Sequence, residues 1–384
     1  MRVAVVAEYY PRAADPVLGV WAHRQALAAR DAGADVQVLV LHRPVPSKAA
    51  LRSRSPRALV APLRQPLRAE LDGIAVTYVP FLAPPRPRSY GRWGAWAAPS
   101  LALALPGLRR EFPFELVHAH YAAPGGDAVR RARPGVPVVV SVHGGDVLSV
   151  VHRAGGRAAV TRALEHARLV LANSAGTARR ARGLGARETR VVHLGTDVPP
   201  ERSPEPRTPT IATVGHLVAR KRHADVLRAL TRLDGARWVV AGDGPERPAL
   251  ERLADELRVR DRVEFRGQLA PAEALAVARS ATVFALPSVD EAFGVAYVEA
   301  MAAGVPVVGC RGEAGPEEIA ASGPGIRLVP PRDPDALAAE LRALLEDPGR
   351  RRELGDAARS TVERAFTWQA CGEATVAAYE AALR

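Results

Sequence analysis

Lysine and cysteine are both scarce in this sequence. Only two of the 53 basic residues are lysines, Lys48 and Lys221, and the chain has two cysteines, Cys310 and Cys371. Two cysteines without paired spacing exclude a disulfide framework and a zinc ribbon, so a reducing compartment is expected. No apolar run reaches the length of about 20 residues that spans a bilayer. The amino terminus lacks the regions of a signal peptide, and a cytoplasmic protein is therefore predicted.

Aromatic residues make up only 5% of the chain, although its formal net charge is +12. Proteins that bind nucleic acid combine basic residues with exposed aromatic side chains or with a known module, and neither pattern occurs here. The abundance of arginine and alanine is typical of a GC-rich genome, which raises arginine wherever any cation suffices. We therefore expect no nucleic-acid partner. An anionic ligand or an anionic membrane surface explains the charge more simply.

Residues 43–68 form a segment with several basic side chains and no acidic one. Two interpretations of this segment stay open: a solvated loop, or a patch that contacts the inner face of an anionic membrane. The region of Trp93 and Trp96 is compatible with both. Peripheral membrane contact is therefore one of the two expectations for this part of the chain.

Short apolar strands alternate with amphipathic helices along the chain, a pattern typical of parallel sheets with crossover helices. Strands are predicted before the midpoint at Val3–Ala7, Val36–Leu41, Ala75–Val79, Leu116–Ala119, Pro137–Val142, Leu169–Ala172 and Arg190–His193. Residues 199–209 then hold five prolines in eleven positions, which no regular element tolerates. Further strands are predicted at Ile211–Gly215, Trp238–Ala241, Val263–Phe265, Val283–Leu286, Val305–Gly309 and Gly325–Val329. The pattern indicates two doubly wound α/β domains, residues 1–198 and 210–365, with a final segment 366–384 and ligands at the carboxyl ends of strands.

The segment 280–309 contains the most informative pattern, a strand followed by a loop, a helix and another strand. The first N–H groups of this helix, at Phe293, Gly294 and Val295, are expected to form an anion site. Glu299 lies about a turn and a half into the helix, within reach of ribose hydroxyls, and Glu291 precedes it, within reach of a sugar. The spacing of the two glutamates alone is equally compatible with a capping carboxylate and a surface residue.

The same segment resembles the donor-site signature of the family 4 glycosyltransferases. The matching residues are Pro287-Ser288, Glu291, Phe293-Gly294, Glu299-Ala300-Met301-Ala302, Gly304 and Pro306-Val307-Val308. Ala292 stands where the family usually has glycine. The resemblance implies that Glu299 binds the nucleotide ribose and that Glu291, Ala292 and the backbone of 293–295 hold the donor sugar and diphosphate.

Residues 214–230 resemble the family's loop that places an arginine and a lysine on the donor diphosphate. Lys221 matches the lysine, and a cation there would stabilise the negative charge of the departing phosphate. His216 replaces the usual arginine. Two alternatives follow: His216 donates to the phosphate as a neutral ring, or Arg220 takes over the role.

Further segments follow the family's order and add donor-site candidates. Gly242 belongs to the strand-end turn GDGP, which is no dinucleotide fingerprint because Arg247 stands where a third glycine belongs. Arg266 lies in the segment that resembles the frame of the nucleobase. Gly315 and either Glu317 or Glu318 stand where the family has a glycine-rich turn with a glutamate. Gly19 is the single glycine in a first loop that usually carries two near the donor phosphates.

His143 follows a predicted strand in the run SVHGGD, which resembles the family's H-G-x-D motif. The resemblance implies that His143 faces the donor sugar near the reacting carbon. Asp146 is expected to cap the helix that follows. His118 and His120 end the preceding strand and, with His143 and Asp146, imitate a metal site, but a metal-independent mechanism is favoured.

The resemblance covers most of the chain and implies a GT-B fold. Its two Rossmann-like domains would face each other across a cleft, and the final helix would cross back to the first domain. The activity implied is retaining transfer of a hexose from a UDP-, GDP- or other nucleotide-activated sugar to a small-molecule, saccharide or lipid-linked acceptor. Cell-surface polysaccharide or glycolipid synthesis is one setting. A nucleotide-sugar epimerase, a phosphorylase and a non-catalytic sugar-nucleotide-binding protein are the alternatives.

Overall fold

The computed structural model describes residues 1–384 except 47–50, 52–54 and 203. The chain folds into two compact units, one of residues 1–194 with 368–384 and one of residues 195–367. Lys48, Arg52 and Arg54, which belong to the basic segment 43–68, lie outside the described residues.

Strands and helices alternate in both units. The strands are β1 (Arg2–Ala7), β2 (Asp35–His42), β3 (Arg68–Leu71), β4 (Ile74–Pro80), β5 (Leu116–His120), β6 (Val138–Val142), β7 (Leu169–Ala172), β8 (Thr189–Val191), β9 (Thr210–Val214), β10 (Arg237–Ala241), β11 (Val263–Gly267), β12 (Val283–Ala285), β13 (Val307–Cys310) and β14 (Ile326–Val329). The α-helices are α1 (Val20–Asp31), α2 (Pro56–Val60), α3 (Arg86–Ser89), α4 (Trp93–Glu111), α5 (Asp127–Ala132), α6 (Gly145–Leu148), α7 (Gly156–His166), α8 (Ala175–Gly183), α9 (His223–Leu230), α10 (Arg247–Glu256), α11 (Pro271–Arg279), α12 (Val295–Ala302), α13 (Ala314–Ser322), α14 (Pro334–Glu346), α15 (Pro348–Ala365) and α16 (Trp368–Leu383). The predicted pair of doubly wound α/β domains is confirmed.

The first unit is built on a sheet whose described strands run in the order β3-β4-β2-β1-β5-β6-β7-β8. Only β3 runs antiparallel among the described pairings of this sheet. Both faces of β1 are covered because alternate side chains point to opposite faces. Ala4 and Val6 pack with Leu101 of α4, whereas Val3 and Val5 belong to the core beneath α1 and α16.

The second unit is a sheet with the described strand order β11-β10-β9-β12-β13-β14, and its described pairings are parallel. Ile211 of β9 and Val240 of β10 lie in one core with Leu227 of α9 and Leu341 of α14. The carboxyl ends of these strands meet at one edge, which positions the loops after β9, β10, β12 and β13 for ligand binding.

The final helix, α16, packs on α1 in the first unit, as the resemblance implies. A Cβ atom at Gly372 would lie 2.1 Å from the carbonyl oxygen of Ala28, so only glycine permits this approach of the two helices. Gln25 Nε2 also donates a hydrogen bond to Thr375 Oγ1 at 3.2 Å.

Helix α4 is 19 residues long and carries the two tryptophans noted in the sequence. Trp93 is buried in the core, whereas Trp96 is 51% exposed. Pro99 and Pro106 lie inside the helix. Among the described residues, no helix is both long and apolar enough to cross a bilayer.

Candidate active site

The loop after β12 is held in place by hydrogen bonds to its own helix. The Tyr297 hydroxyl donates to the carbonyl of Leu286, and Ser288 Oγ lies 3.2 Å from the same hydroxyl. Gly294 directly precedes α12 and has a φ of +91°, and a Cβ atom there would lie 2.3 Å from the Tyr297 ring. Glycine is therefore required at 294 both by its backbone conformation and by the ring packed against it.

Glu291 lies in this loop and is paired with Lys221, the lysine singled out in the sequence. Lys221 Nζ donates to Glu291 Oε2 at 2.6 Å, and Ser288 Oγ donates to the same oxygen at 2.7 Å. Burial alone would raise the pKa of Glu291, but the Lys221 ammonium, with help from Arg220 and the Ser288 hydroxyl, overcomes it and lowers that pKa. The carboxylate is therefore ionised and oriented.

Arg220 joins this pair, and His216 does not. Arg220 NH1 lies 3.8 Å from Glu291 Oε2, and its carbonyl accepts a hydrogen bond from the Val289 N–H at 2.8 Å. The loop after β9 is thereby tied to the loop after β12. The side chain of His216 is exposed to solvent. Of the two alternatives for the missing arginine, Arg220 is the one that lies beside Glu291.

Glu299 lies on α12, partly exposed, and faces a cation that sequence reasoning missed. Burial raises the pKa of Glu299, and the Arg279 guanidinium opposes that rise. Arg279, at the end of α11, donates through NH2 to the carbonyl of Asp197. The tertiary fold alone brings α11 beside α12, so no local signal marked Arg279.

Glu313 is a second residue that sequence reasoning missed. Its Oε2 accepts a hydrogen bond from the Glu291 N–H at 3.0 Å. The predicted residue Gly315 lies close by, because its N–H donates to the Glu291 carbonyl at 3.2 Å. A Cβ atom at Gly315 would lie 2.1 Å from the Phe293 carbonyl oxygen. The segment after β13 thus holds the backbone of Glu291 in place through two hydrogen bonds.

Glu317, predicted beside Gly315, has a local role. Its Oε1 accepts from the N–H of Gly312 at 2.8 Å, and its side chain is exposed. This contact closes the turn that leads into α13. Among the described residues of the segment 312–318, Glu313 is the one whose side chain contacts Glu291.

Ala292 and Phe293 lie between Glu291 and the start of α12. Phe293 is 1% exposed and its ring centroid lies 5.6 Å from that of Phe366, so its side chain belongs to the core. Val295 is the first residue of α12. Residues 292–295 therefore connect Glu291, whose carboxylate is paired with Lys221, directly to the start of α12.

Gly242 and Arg266 lie at the ends of β10 and β11. Gly242 has a φ of +146°, and a Cβ atom there would lie 2.0 Å from the Gly215 carbonyl oxygen. Arg266 donates to Glu264 Oε1 at 2.7 Å. It lines a cavity of about 340 Å³ together with Pro204, Pro206 and Arg207, and none of the residues around Glu291 lines that cavity.

In the first unit, His143 follows β6 and pairs with His120 at the end of β5. Their Nε2 and Nδ1 atoms lie 3.1 Å apart. The Trp21 ring lies 4.0 Å from the His143 ring, measured between centroids. Gly19 directly precedes the helix that carries Trp21, and a Cβ atom there would lie 2.2 Å from the Tyr9 carbonyl carbon. Gly19 therefore permits the packing that places Trp21 on His143.

Asp146 does not cap the following helix, contrary to expectation. It lies inside α6 and its carboxylate accepts from the N–H groups of Ala122 at 3.1 Å, His143 at 3.1 Å and Val147 at 3.2 Å. Burial raises the pKa of Asp146 to about 6, although these N–H donors oppose the rise. Asp146 therefore fixes the backbone of His143.

The two histidines of β5, His118 and His120, form hydrogen bonds with other side chains and do not converge on a shared metal-binding position. His118 uses both ring nitrogens, with the Tyr379 hydroxyl and Ser141 Oγ each 2.7 Å away. Within the parts of the chain that the structure describes, no three His, Cys, Asp or Glu side chains are grouped to hold a metal ion.

The two units match two families of known proteins. The family described as Glycosyltransferase Family 4 matches residues 18–199, and the family described as Glycosyl transferases group 1 matches residues 198–361. The chain belongs to the family 4, group 1 glycosyltransferases. The sequence resemblance is therefore confirmed.

Among curated relatives, the MMP α-(1→4)-mannosyltransferase of Mycolicibacterium hassiacum is 38% identical over 199 residues, 50% of this chain and 48% of its own length. A GDP-mannose-dependent monoacylated α-(1-6)-phosphatidylinositol monomannoside mannosyltransferase of Corynebacterium glutamicum is 33% identical over 43% of this chain and 45% of its own length. The chain thus spans about half the length of the curated relatives it matches.

Solved structures resemble this chain over nearly its full length. Sucrose-phosphate synthase of Thermosynechococcus elongatus has a TM-score of 0.80 at 22% identity and covers 99% of this chain and 98% of its own. Anabaena HepE in complex with UDP has a TM-score of 0.74 at 19% identity, with 99% and 100% covered. These likenesses show the GT-B fold that the sequence resemblance implies.

Proposed function

We propose that this chain transfers a sugar from a nucleotide-diphosphate sugar to a hydroxyl group of a saccharide or lipid-linked acceptor, with retention of anomeric configuration. The observation that carries the proposal is the cluster of Lys221, Arg220 and Glu291 beside the start of α12. Cations and a helix N-terminus together favour a diphosphate. Family membership and the names of the relatives, which are sugar transferases, support the same activity.

Lys221 and Arg220 suit the departing phosphate. An ammonium group has three donors, and Glu291 accepts one of them, so Lys221 can donate to a phosphate without losing its partner. Arg220 is 46% exposed at its side chain and adds a second cation. As the bond to the sugar breaks, negative charge grows on the phosphate, and preorganised cations stabilise that charge. His216 is assigned no more than a supporting role at the diphosphate.

Glu291 is suited to bind the sugar because one of its carboxylate oxygens holds its protein partners and the other does not. Among the described residues, the contacts of its carboxylate with Lys221, Ser288 and Arg220 are all made by Oε2. Oε1 is therefore available to a sugar hydroxyl. Glu299, about one turn into α12, is proposed to accept from the ribose hydroxyls.

In the reaction proposed, the acceptor oxygen forms a bond to the anomeric carbon while the bond from that carbon to the phosphate oxygen breaks. Both events occur on the same face of the sugar, and the departing phosphate takes the hydroxyl proton. No resident cofactor or metal is assigned. The contact of His143 with the donor sugar is proposed from the motif resemblance. We place the reaction in the cytoplasm.

The proposal is tested with a panel of UDP-, GDP- and other nucleotide sugars, measured by thermal shift and by donor hydrolysis. We expect one donor class to raise the melting temperature of the wild type and Glu299→Ala to weaken its binding about tenfold or more, since a hydrogen bond to a charged group contributes about 1.5–3 kcal/mol. Glu353→Ala is the matched control, because Glu353 is an exposed glutamate on α15 of the same unit.

The outcomes separate the proposal from its alternatives. A donor that binds without any turnover in the presence of acceptors would indicate a non-catalytic binding protein. Conversion of the donor to a different nucleotide sugar would indicate an epimerase, and dependence on inorganic phosphate a phosphorylase. If no nucleotide sugar binds, or if Glu299→Ala binds as the wild type does, the donor-site assignment is wrong.

A further inference from the structure

Three arginines of the first unit surround the buried rings of Tyr90 and Trp93. The guanidinium carbon of Arg86 lies 4.2 Å from the Tyr90 ring centroid, and that of Arg153 lies 5.8 Å from the same centroid. The guanidinium carbon of Arg43 lies 5.1 Å from the Trp93 ring centroid. Arg86 and Arg153 are exposed to solvent and Arg43 is partly exposed. We call Arg43, Arg86 and Arg153 the arginine surface.

The rings that carry the arginine surface are fixed in place. The Tyr90 hydroxyl donates to Glu8 Oε2 at 2.6 Å, and Trp93 Nε1 donates to Ser89 Oγ at 2.9 Å. Arg43 is further anchored by its Nε, which donates to the Ala83 carbonyl at 3.0 Å. A guanidinium packed against a ring face keeps N–H donors at its edge, so these cations are positioned and still able to bind.

The arginine surface carries unbalanced positive charge. Among the described residues, no carboxylate forms an ion pair with Arg43, Arg86 or Arg153. Glu8 is the acidic residue that contacts one of the two rings. It is only 7% exposed, and its carboxylate accepts a hydrogen bond from the Tyr90 hydroxyl. The charge of Glu8 acts on Arg86 and also on Arg12, which lies outside the arginine surface. The arginine surface therefore keeps a net attraction for an anion.

The arginine surface adjoins the surroundings of His143. The Tyr90 hydroxyl lies 3.1 Å from the Tyr9 hydroxyl, and the Tyr9 ring centroid lies 5.0 Å from that of Tyr121. The Tyr121 ring stacks on His143 at 5.7 Å between centroids. Arg43 and Arg86 follow β2 and β4, so they lie at the same carboxyl edge of the sheet as His143, which follows β6.

We propose that the arginine surface binds an anionic group of the acceptor, a phosphate or carboxylate carried near the hydroxyl that receives the sugar. Arginine forks match these two groups because parallel N–H donors meet two oxygens. This inference rests on the proposed function, because only a transferase has an acceptor. The binding of the anion itself does not depend on it.

The test measures binding to the full chain without a nucleotide sugar. Isothermal titration compares glycerol 3-phosphate with glycerol and glucose 6-phosphate with glucose. We expect at least one phosphate ester to bind about tenfold or more tightly than its neutral partner, and Arg86→Ala and Arg153→Ala each to reduce that affinity about tenfold. Arg86→Lys keeps the charge without the fork and should recover only part of the affinity.

Arg110→Ala is the matched control, because Arg110 is an exposed arginine of the same unit on α4 and should leave the affinity unchanged. A second arm uses phosphatidylcholine vesicles with and without phosphatidylglycerol, so that an anion presented by a lipid is distinguished from a soluble one. Binding in either arm that depends on Arg86 supports the inference. Equal binding of charged and neutral compounds in both arms, or anion binding that Arg86→Ala leaves intact, overturns it.

The inference and the proposed function fail separately. If nucleotide sugars bind and turn over but anions bind no better than neutral compounds, only the arginine surface is wrongly assigned. If anion binding depends on Arg86 while no nucleotide sugar binds, only the transferase activity is wrongly assigned.

Discussion

Lys221 and Glu291 form an ion pair at 2.6 Å that is almost entirely removed from solvent, with 11% and 8% of the two side chains exposed. Lys221 ends the turn after β9, and Glu291 lies in the loop after β12. The pair therefore connects two strand-end loops that are 70 residues apart in the sequence. Burying two charges costs solvation, and their mutual attraction offsets that cost only while both are present.

Breaking this pair on one side should destabilise the protein strongly. We expect Lys221→Met and Glu291→Gln each to lower the free energy of unfolding by about 3–5 kcal/mol, and the double variant to lower it by less than the sum. Urea unfolding followed by tryptophan fluorescence measures the effect, and Trp238 is the tryptophan through which the second unit contributes to that signal. Arg237→Met, which breaks an exposed pair with Glu264, should cost at most about 1 kcal/mol. Additive single effects would contradict a coupled pair.

Asp146 should give the first unit a pH-dependent stability. Burial raises its pKa from the ordinary 3.8 to about 6, so the folded chain holds a proton that the unfolded chain has released between those values. The stability contributed by the neutral acid is present at about pH 4 and is lost as the pH rises towards 7, by about 3 kcal/mol. Asp146→Asn stays neutral throughout.

The measurement is the difference in unfolding free energy between wild type and Asp146→Asn at several pH values. That difference should shift in favour of the variant as the pH rises from about 4 to 7. Asp234→Asn, at an exposed aspartate, should show no such trend. A constant difference over the whole range would mean that Asp146 is ionised in the folded protein even at the acidic end.

Most strands of the two sheets were predictable because they are short and largely apolar. The predicted bounds Leu169–Ala172 for β7 agree with the structure, and the final segment predicted at 366–384 contains the last helix, Trp368–Leu383. Strand β3 was missed because its four residues, RAEL, are exposed or half-exposed and carry no apolar run. An edge strand of this kind depends on its partner β4 rather than on its own pattern.

Residues of the candidate site were predictable only where they belong to a motif contained in one continuous segment of the sequence. Glu291, Gly294 and Lys221 could be found because each belongs to a motif with a recognisable local order. Glu313 binds a backbone N–H 22 residues away, and Arg279 meets Glu299 through the packing of two helices. Contacts between separate loops leave no periodicity in the sequence, so neither residue was marked as a partner.

Gly315 should be intolerant of any side chain. A Cβ atom there would lie 2.1 Å from the Phe293 carbonyl oxygen, a backbone atom that cannot move without displacing the start of α12. We expect Gly315→Ala to reduce donor binding more than about tenfold while the first unit stays folded, because the loop that holds Glu291 shifts. Gly107→Ala is the control, since nothing lies within 4 Å of a Cβ atom at Gly107. Thermal shift with the donor measures both variants, and equal donor response would show that the loop accommodates the methyl group.

The pairing of His120 with His143 makes a prediction about catalysis. Burial lowers the pKa of His120 to about 3 and that of His143 well below its ordinary value, so both rings are neutral at working pH. A neutral imidazole has one donor and one acceptor, so the contact at 3.1 Å couples the tautomers of the two rings: when one nitrogen of the pair donates, the other must accept. Replacing His120 would free His143 to rotate and to exchange tautomers.

His120→Phe keeps a ring beside His143 but removes the hydrogen bond. If His143 acts on the donor sugar, kcat should fall by up to about a hundredfold, because small misplacements of a positioned group cost that much. The KM for the donor should change far less, since Glu291, Glu299 and Lys221 are untouched. His166→Phe, at an exposed histidine on α7, should leave both constants unchanged. A rise in KM with kcat unchanged would show that His120 supports binding and not the orientation of His143. Unchanged kcat and KM in His120→Phe would show that the hydrogen bond between the two rings has no part in the reaction.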